Sequence, residues 1–118
     1  MPSPRGGKVL WLVQAVSGLA LVALLGLHFV AQHYVAQGGL RTYADVQAYL
    51  ASPVIWALEA LFLVVVAVHA ALGLRSVALD LGLSARATGW VNAGVTLLAA
   101  LTIGYGLWLM ARVGGVGS

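Results

Sequence analysis

Three long apolar stretches, almost free of charge, decide what this chain can fold into. Between Lys8 and Arg41 there is no Asp, Glu, Lys or Arg. A second stretch covers residues 54–74 with Glu59 as its sole charged residue, and a third covers residues 88–110 with none. Each meets or exceeds the roughly 20 residues that cross a hydrocarbon core of about 30 Å. Backbone groups in lipid must pair within their own segment, so the stretches read as helices. A membrane strand would need strict alternation of apolar and polar residues, and there is none.

Composition agrees. Hydrophobic residues make up 62% of the 118 positions and charged residues 8%, against about a quarter charged in soluble domains. So few polar side chains cannot cover a water-facing surface, and the expectation is an all-α integral membrane protein in contact with lipid. The net charge of +3 comes from basic residues scattered singly beside the apolar stretches. Without a basic run to track phosphates, nucleic-acid binding is not expected. The absence of cysteine excludes disulfides, thiolate nucleophiles and iron–sulfur ligation by this chain.

The basic start up to Lys8 followed by apolar residues superficially resembles a signal peptide. The apolar run is too long for an h-region of about 7–15 residues, so it reads as a retained first span. After Gly38-Gly39, the positions Tyr43, Val46, Tyr49 and Leu50 follow helical spacing and predict a short interfacial helix. Ser52-Pro53 reads as the cap and first residue of the second span. A short link from Ala78 to Ala87 makes the second and third spans antiparallel neighbours, and the glycine-rich tail from Gly114 reads as frayed. No repeat divides residues 1–118, which read as one transmembrane domain. Arg5, Lys8, Arg75 and Arg86 flank one side and Arg41 and Arg112 the other. Four against two places the N-terminus in the cytoplasm. Trp11, Trp56, Trp90 and Trp108 fall near span ends, as belt residues do.

The chemistry rests on histidine. His69 lies deep in the second span, where an ionisable side chain marks a functional site by default. Imidazole is a common metal ligand and a usual axial ligand of haem iron. His28 lies toward the other end of the first span, on the order of 20 Å away along the membrane normal. The two cannot share a metal, but each can hold its own. Phe62, Val66, His69, Gly73, Ser76 and Asp80 share one face of the second span, and Ser17, Leu21, Leu24, His28 and Gln32 one face of the first. Gly73, one turn beyond His69, leaves room for a porphyrin edge or a helix backbone. His33, beside Gln32, Tyr34 and Gln37, reads as interfacial. Glu59, Arg75 and Asp80 near helix ends read as snorkelling or paired, and Gly104 and Gly106 as packing positions. No nucleophile–base pair or phosphate-binding loop is present, so no residue is expected to be catalytic. From the residues alone two readings remain. In one the histidines ligate haem with a partner chain; in the other a haem-free structural or transport-associated subunit uses them for helix packing.

Two stretches resemble the cytochrome b membrane-anchor subunits of succinate dehydrogenase and fumarate reductase. One is Leu27-His28-Phe29-Val30-Ala31-Gln32-His33-Tyr34-Val35-Ala36-Gln37-Gly38. The other is Ala57-Leu58-Glu59-Ala60-Leu61-Phe62 running on to His69-Ala70-Ala71-Leu72-Gly73-Leu74-Arg75 and Asp80. The resemblance covers nearly the whole chain and implies part of a heteromeric helix bundle. It implies one or two b haems shared with a second anchor chain, with His69 and His28 as axial metal ligands and Ser17, Gly73 and Arg75 near the cofactor. It also implies docking of an iron–sulfur subunit and through it a flavoprotein, with electrons delivered to quinone near Asp80 and Arg75. The host would be a bacterial or archaeal cytoplasmic membrane. The pattern departs in two places. Asp80 is followed by Leu81 rather than tyrosine, and Gln14, Ala15 and Val16 stand before Ser17-Gly18 where the larger anchor chain has His-Arg-x. Both departures point to the smaller of two anchor chains. The anchor of another quinone-linked dehydrogenase is a further possibility.

Overall fold

The computed structural model describes residues 4–36 and 38–115, with side chains from Gly7 onward. The Arg5 side chain, Gln37 and the last three residues of the glycine-rich tail lie outside the described residues. Four α-helices follow in order, α1 (Pro4–Val30), α2 (Tyr43–Ala51), α3 (Pro53–Leu79) and α4 (Ala85–Gly114). There is no strand among the described residues. The three long helices carry segments apolar enough to cross a membrane, Gly7–Val35, Pro53–Leu79 and Ala85–Gly114. They run beyond the apolar stretches because the flanking polar residues extend helices rather than end them. The expected three-span, all-α architecture with a short helix between the first two spans is what the chain adopts.

Local chemistry sets the helix ends. Gly38 and Gly39 both take positive φ, 77° and 80°, a region that glycine enters at little steric cost; they turn the chain out of the first span. Thr42 caps α2 through a capping box: its hydroxyl accepts from the Asp45 amide, and the Asp45 carboxylate accepts from the Thr42 amide. Ser52 caps α3 and Pro53 fills its first turn, as the Ser-Pro pair predicts. Ser84 caps α4 by accepting from the Ala87 amide at 3.2 Å. Beyond Val30 the first span continues as a π-helical turn, Ala31–Val35, which widens the helix just after His28.

α3 lies in the middle, packed against α1 on one side and α4 on the other, while α2 packs against α4 and α3. The long helices therefore form an open layer rather than a closed bundle. The buried cluster sits at the α2 end, where Ala31, Tyr49, Leu50 and Ile55 meet. Elsewhere, Leu24 apart, the apolar side chains of the spans are partly or largely exposed, as befits a chain surrounded by lipid and other helices.

Gly114 departs from the expected frayed tail. It is helical, and a Cβ there would stand 2.6 Å from the Leu50 carbonyl oxygen, so the missing side chain lets α4 close against the end of α2. Gly106 is likewise a packing position, against Leu63, whereas Gly104 faces open space. Trp11 and Trp90 fall at the end carrying Lys8, Arg75 and Arg86, and Trp56 and Trp108 at the α2 end.

Candidate functional site

Two histidines stand on α1 and α3 at separate levels, each joined across the α1–α3 contact. At the first level, about halfway along α1, His69 Nδ1 lies 2.9 Å from Ser17 Oγ. The same hydroxyl donates to the Gln14 carbonyl at 2.9 Å. A hydroxyl has a single proton, so toward the imidazole it accepts. Nδ1 is then the donor of this bond, and Nε2 takes no part in it. Glycines shape the surroundings. A Cβ at Gly18 would come within 3.3 Å of His69 Cε1, and one at Gly73 within 3.4 Å of Gln14 Nε2. The ring thus leans on bare α1 backbone.

Gln14 Oε1 is buried without a hydrogen-bond partner. It belongs to a cavity of about 240 Å³ toward the amino-terminal end of α1, whose lining includes Trp11, Gln14, Leu72, Arg75 and Ser76. Arg75 Nε donates to Asn92 Oδ1 on α4 at 2.6 Å, which fixes the guanidinium between α3 and α4. Asp80 is exposed at the end of α3, where its backbone amide bonds to the Ser76 carbonyl. The structure therefore strings Ser17, His69, Gly73 and Arg75 along the α1–α3 groove from its middle toward one end and leaves Asp80 at the rim.

At the second level His28 Nδ1 lies 2.6 Å from Glu59 Oε2, and Tyr49 donates to Glu59 Oε1. Glu59 is only 9% exposed. The His28 ring also stacks on Phe62, with centroids 4.7 Å apart. Burial, and next its bond to Glu59, push the Tyr49 phenol above its ordinary value. Eleven residues of α1 separate Ser17 from His28, about 16 Å of helix rise, so the two levels are independent. His33 stands apart: it is exposed, bonds to the Phe29 carbonyl at 2.9 Å and stacks on Phe29.

Sequence reasoning found both histidines and the faces that carry them, and missed three partners. Glu59 reads as a paired residue near a helix end, but no spacing rule connects it to His28 on another helix. Tyr49 reads only as one position of a short interfacial helix and is in fact buried. Asn92 gave no signal, because one amide in an apolar helix has no periodic partner. The Thr42-x-x-Asp45 pattern was available as a capping signature for the start of α2.

The model of the family described as succinate dehydrogenase/fumarate reductase transmembrane subunit matches residues 3–104. The succinate dehydrogenase hydrophobic membrane anchor subunit of Archaeoglobus fulgidus is 40% identical over 103 residues, 87% of each chain. No solved structure matches. Three apolar helices, a short helix between the first two and a match over most of the length place this chain in the succinate dehydrogenase/fumarate reductase transmembrane subunit family.

Proposed function

We propose that this anchor subunit binds haem b at two levels within a succinate:quinone oxidoreductase, through His69 and His28. The observation that carries this reading is the orientation of the two rings. Each directs Nδ1 at an oxygen inside the chain, the arrangement of a metal-bound imidazole whose other nitrogen is oriented by the protein. The donor set fits haem b, which needs no cysteine attachment. The buried Gln14 Oε1 without a hydrogen-bond partner, in a cavity that Arg75 also lines, suits the edge of a large planar group with polar substituents. With bound iron, the haem supplies one-electron transfer.

This chain brings one imidazole to each level, so a second anchor chain against the open faces of the α1–α3–α4 layer would supply the remaining ligands. Ser17 orients His69, and the bare backbone at Gly18 lets the ring lie close to α1. Arg75, held by Asn92, and Asp80 at the rim serve the quinone headgroup at the end bearing Lys8 and Arg86. By the preponderance of basic residues that end is cytoplasmic, and there the chain docks an iron–sulfur subunit which a flavoprotein joins.

The visible spectrum of the assembled complex tests the ligand assignment. His69→Ala is expected to lose the reduced b-type band contributed by the haem at that level while the complex still assembles. An undiminished band in that variant would overturn the role of His69 and favour a haem-free packing role.

A further inference from the structure

The two imidazoles differ in what holds them, and this difference carries a consequence for the iron each would bind. His69 Nδ1 faces a neutral hydroxyl already engaged with a backbone carbonyl. His28 Nδ1 faces a buried carboxyl at 2.6 Å, whose other oxygen receives the Tyr49 hydroxyl. Three elements converge on that carboxyl: α1 brings His28, α2 brings Tyr49 and α3 brings Glu59 itself.

Resting on the reading of His28 as an axial ligand, we propose that Glu59 is the positioning residue of the second haem level, fixing the His28 ring and biasing its iron toward the ferric state. The physical reason is the charge of the acceptor. An Nδ1–H directed at a carboxylate acquires imidazolate character, and Nε2 becomes a stronger donor. A stronger axial donor favours the higher oxidation state, and hydrogen bonding to the ligand is one of the levers by which a protein sets haem potential. Ser17 exerts no comparable pull on His69, since its hydroxyl is neutral. Tyr49 donates to Oε1 and so keeps Oε2 turned toward His28; Phe62 under the ring removes its remaining freedom. The fold therefore makes the His28 level the lower in potential of the two, through a carboxyl that touches no cofactor.

Potentiometric titration of the complete complex tests this in wild type, Glu59→Gln and His28→Leu. The glutamine retains an acceptor for Nδ1 but no charge. It is expected to raise the lower-potential component roughly tenfold in ferrous-to-ferric ratio, about 59 mV for one electron, and to leave the other component in place. Glu59→Asp is expected to return part of the shift. Unchanged potentials in Glu59→Gln, with His28→Leu still losing the lower component, would overturn the role of Glu59 alone. No change in His28→Leu would overturn the ligand reading and the Glu59 role with it. Should Glu59→Gln fail to assemble, the near-infrared charge-transfer bands of the ferric wild-type complex decide. One component with imidazolate character supports the assignment, and two with neutral-imidazole bands refute it.

Discussion

The two histidine levels use the same side chain on the same pair of helices and are built by opposite means. His69 is placed by what is missing: Gly18 and Gly73 remove side chains, and one serine hydroxyl sets the ring. His28 is placed by what is added, a buried carboxyl, a tyrosine from the interfacial helix and an aromatic ring beneath. The contrast follows from position. Near the middle of the layer only α1 and α3 are within reach, and close approach of two helices favours small residues. At the α2 end a fourth element supplies polar partners and enough cover to hold a carboxyl away from water.

The largest expected effect separates the levels by stability. Glu59→Ala leaves the Tyr49 hydroxyl and His28 Nδ1 without their partner in a buried setting and is expected to cost about 3 kcal/mol. Ser17→Ala removes the neutral hydroxyl and its bonds to His69 and to the Gln14 carbonyl, and is expected to cost about 1 kcal/mol. Unfolding of the purified subunits in mixed detergent measures both, and equal losses would erase the contrast.

Glycine substitution sharpens the comparison from the other side. Gly18→Ala sets a methyl 3.3 Å from His69 Cε1, so the ring must give by a few tenths of an ångström, whereas Gly26 near His28 has nothing within 4 Å. Gly18→Ala is expected to perturb the spectrum of the His69 level. Gly26→Ala is expected to be silent there, and neutral or stabilising by up to about 1 kcal/mol through helix propensity. A silent Gly18→Ala would show that the ring does not depend on bare backbone.

The smallest effect lies at high pH. Burial and the Glu59 carboxyl raise the Tyr49 phenol in the folded chain, so folded protein keeps a proton that unfolded chain releases near pH 10. The contribution of Tyr49 to stability is therefore complete below about pH 10 and declines as pH rises beyond it. The stability gap between wild type and Tyr49→Phe should narrow from pH 9 to pH 11. A constant gap would mean that the phenol is not held protonated by the fold.

What was legible in the sequence follows from the range of each physical signal. Apolar length gave the spans, and Ser52-Pro53 gave the start of α3, because hydrophobicity and capping act within a few residues. Helical spacing placed Ser17 and His28 on one face of α1 and Phe62, His69 and Gly73 on one face of α3, and the structure turns those faces toward each other. The pairing of Glu59 with His28 and Tyr49 was hidden, since it depends on the rotation of three helices about their axes. Gly114 misled because a glycine-rich terminus reads as loose until a neighbour is seen against it. Here Leu50 supplies that neighbour.

Under the proposed function this anchor holds two separate haem levels, one per histidine. Potentiometric titration of the assembled wild-type complex, followed at the reduced b-type band, tests it most directly. Two one-electron components of unequal potential are expected, the lower vanishing in His28→Leu and the higher in His69→Leu. A single component, lost or kept irrespective of which histidine is replaced, would contradict it.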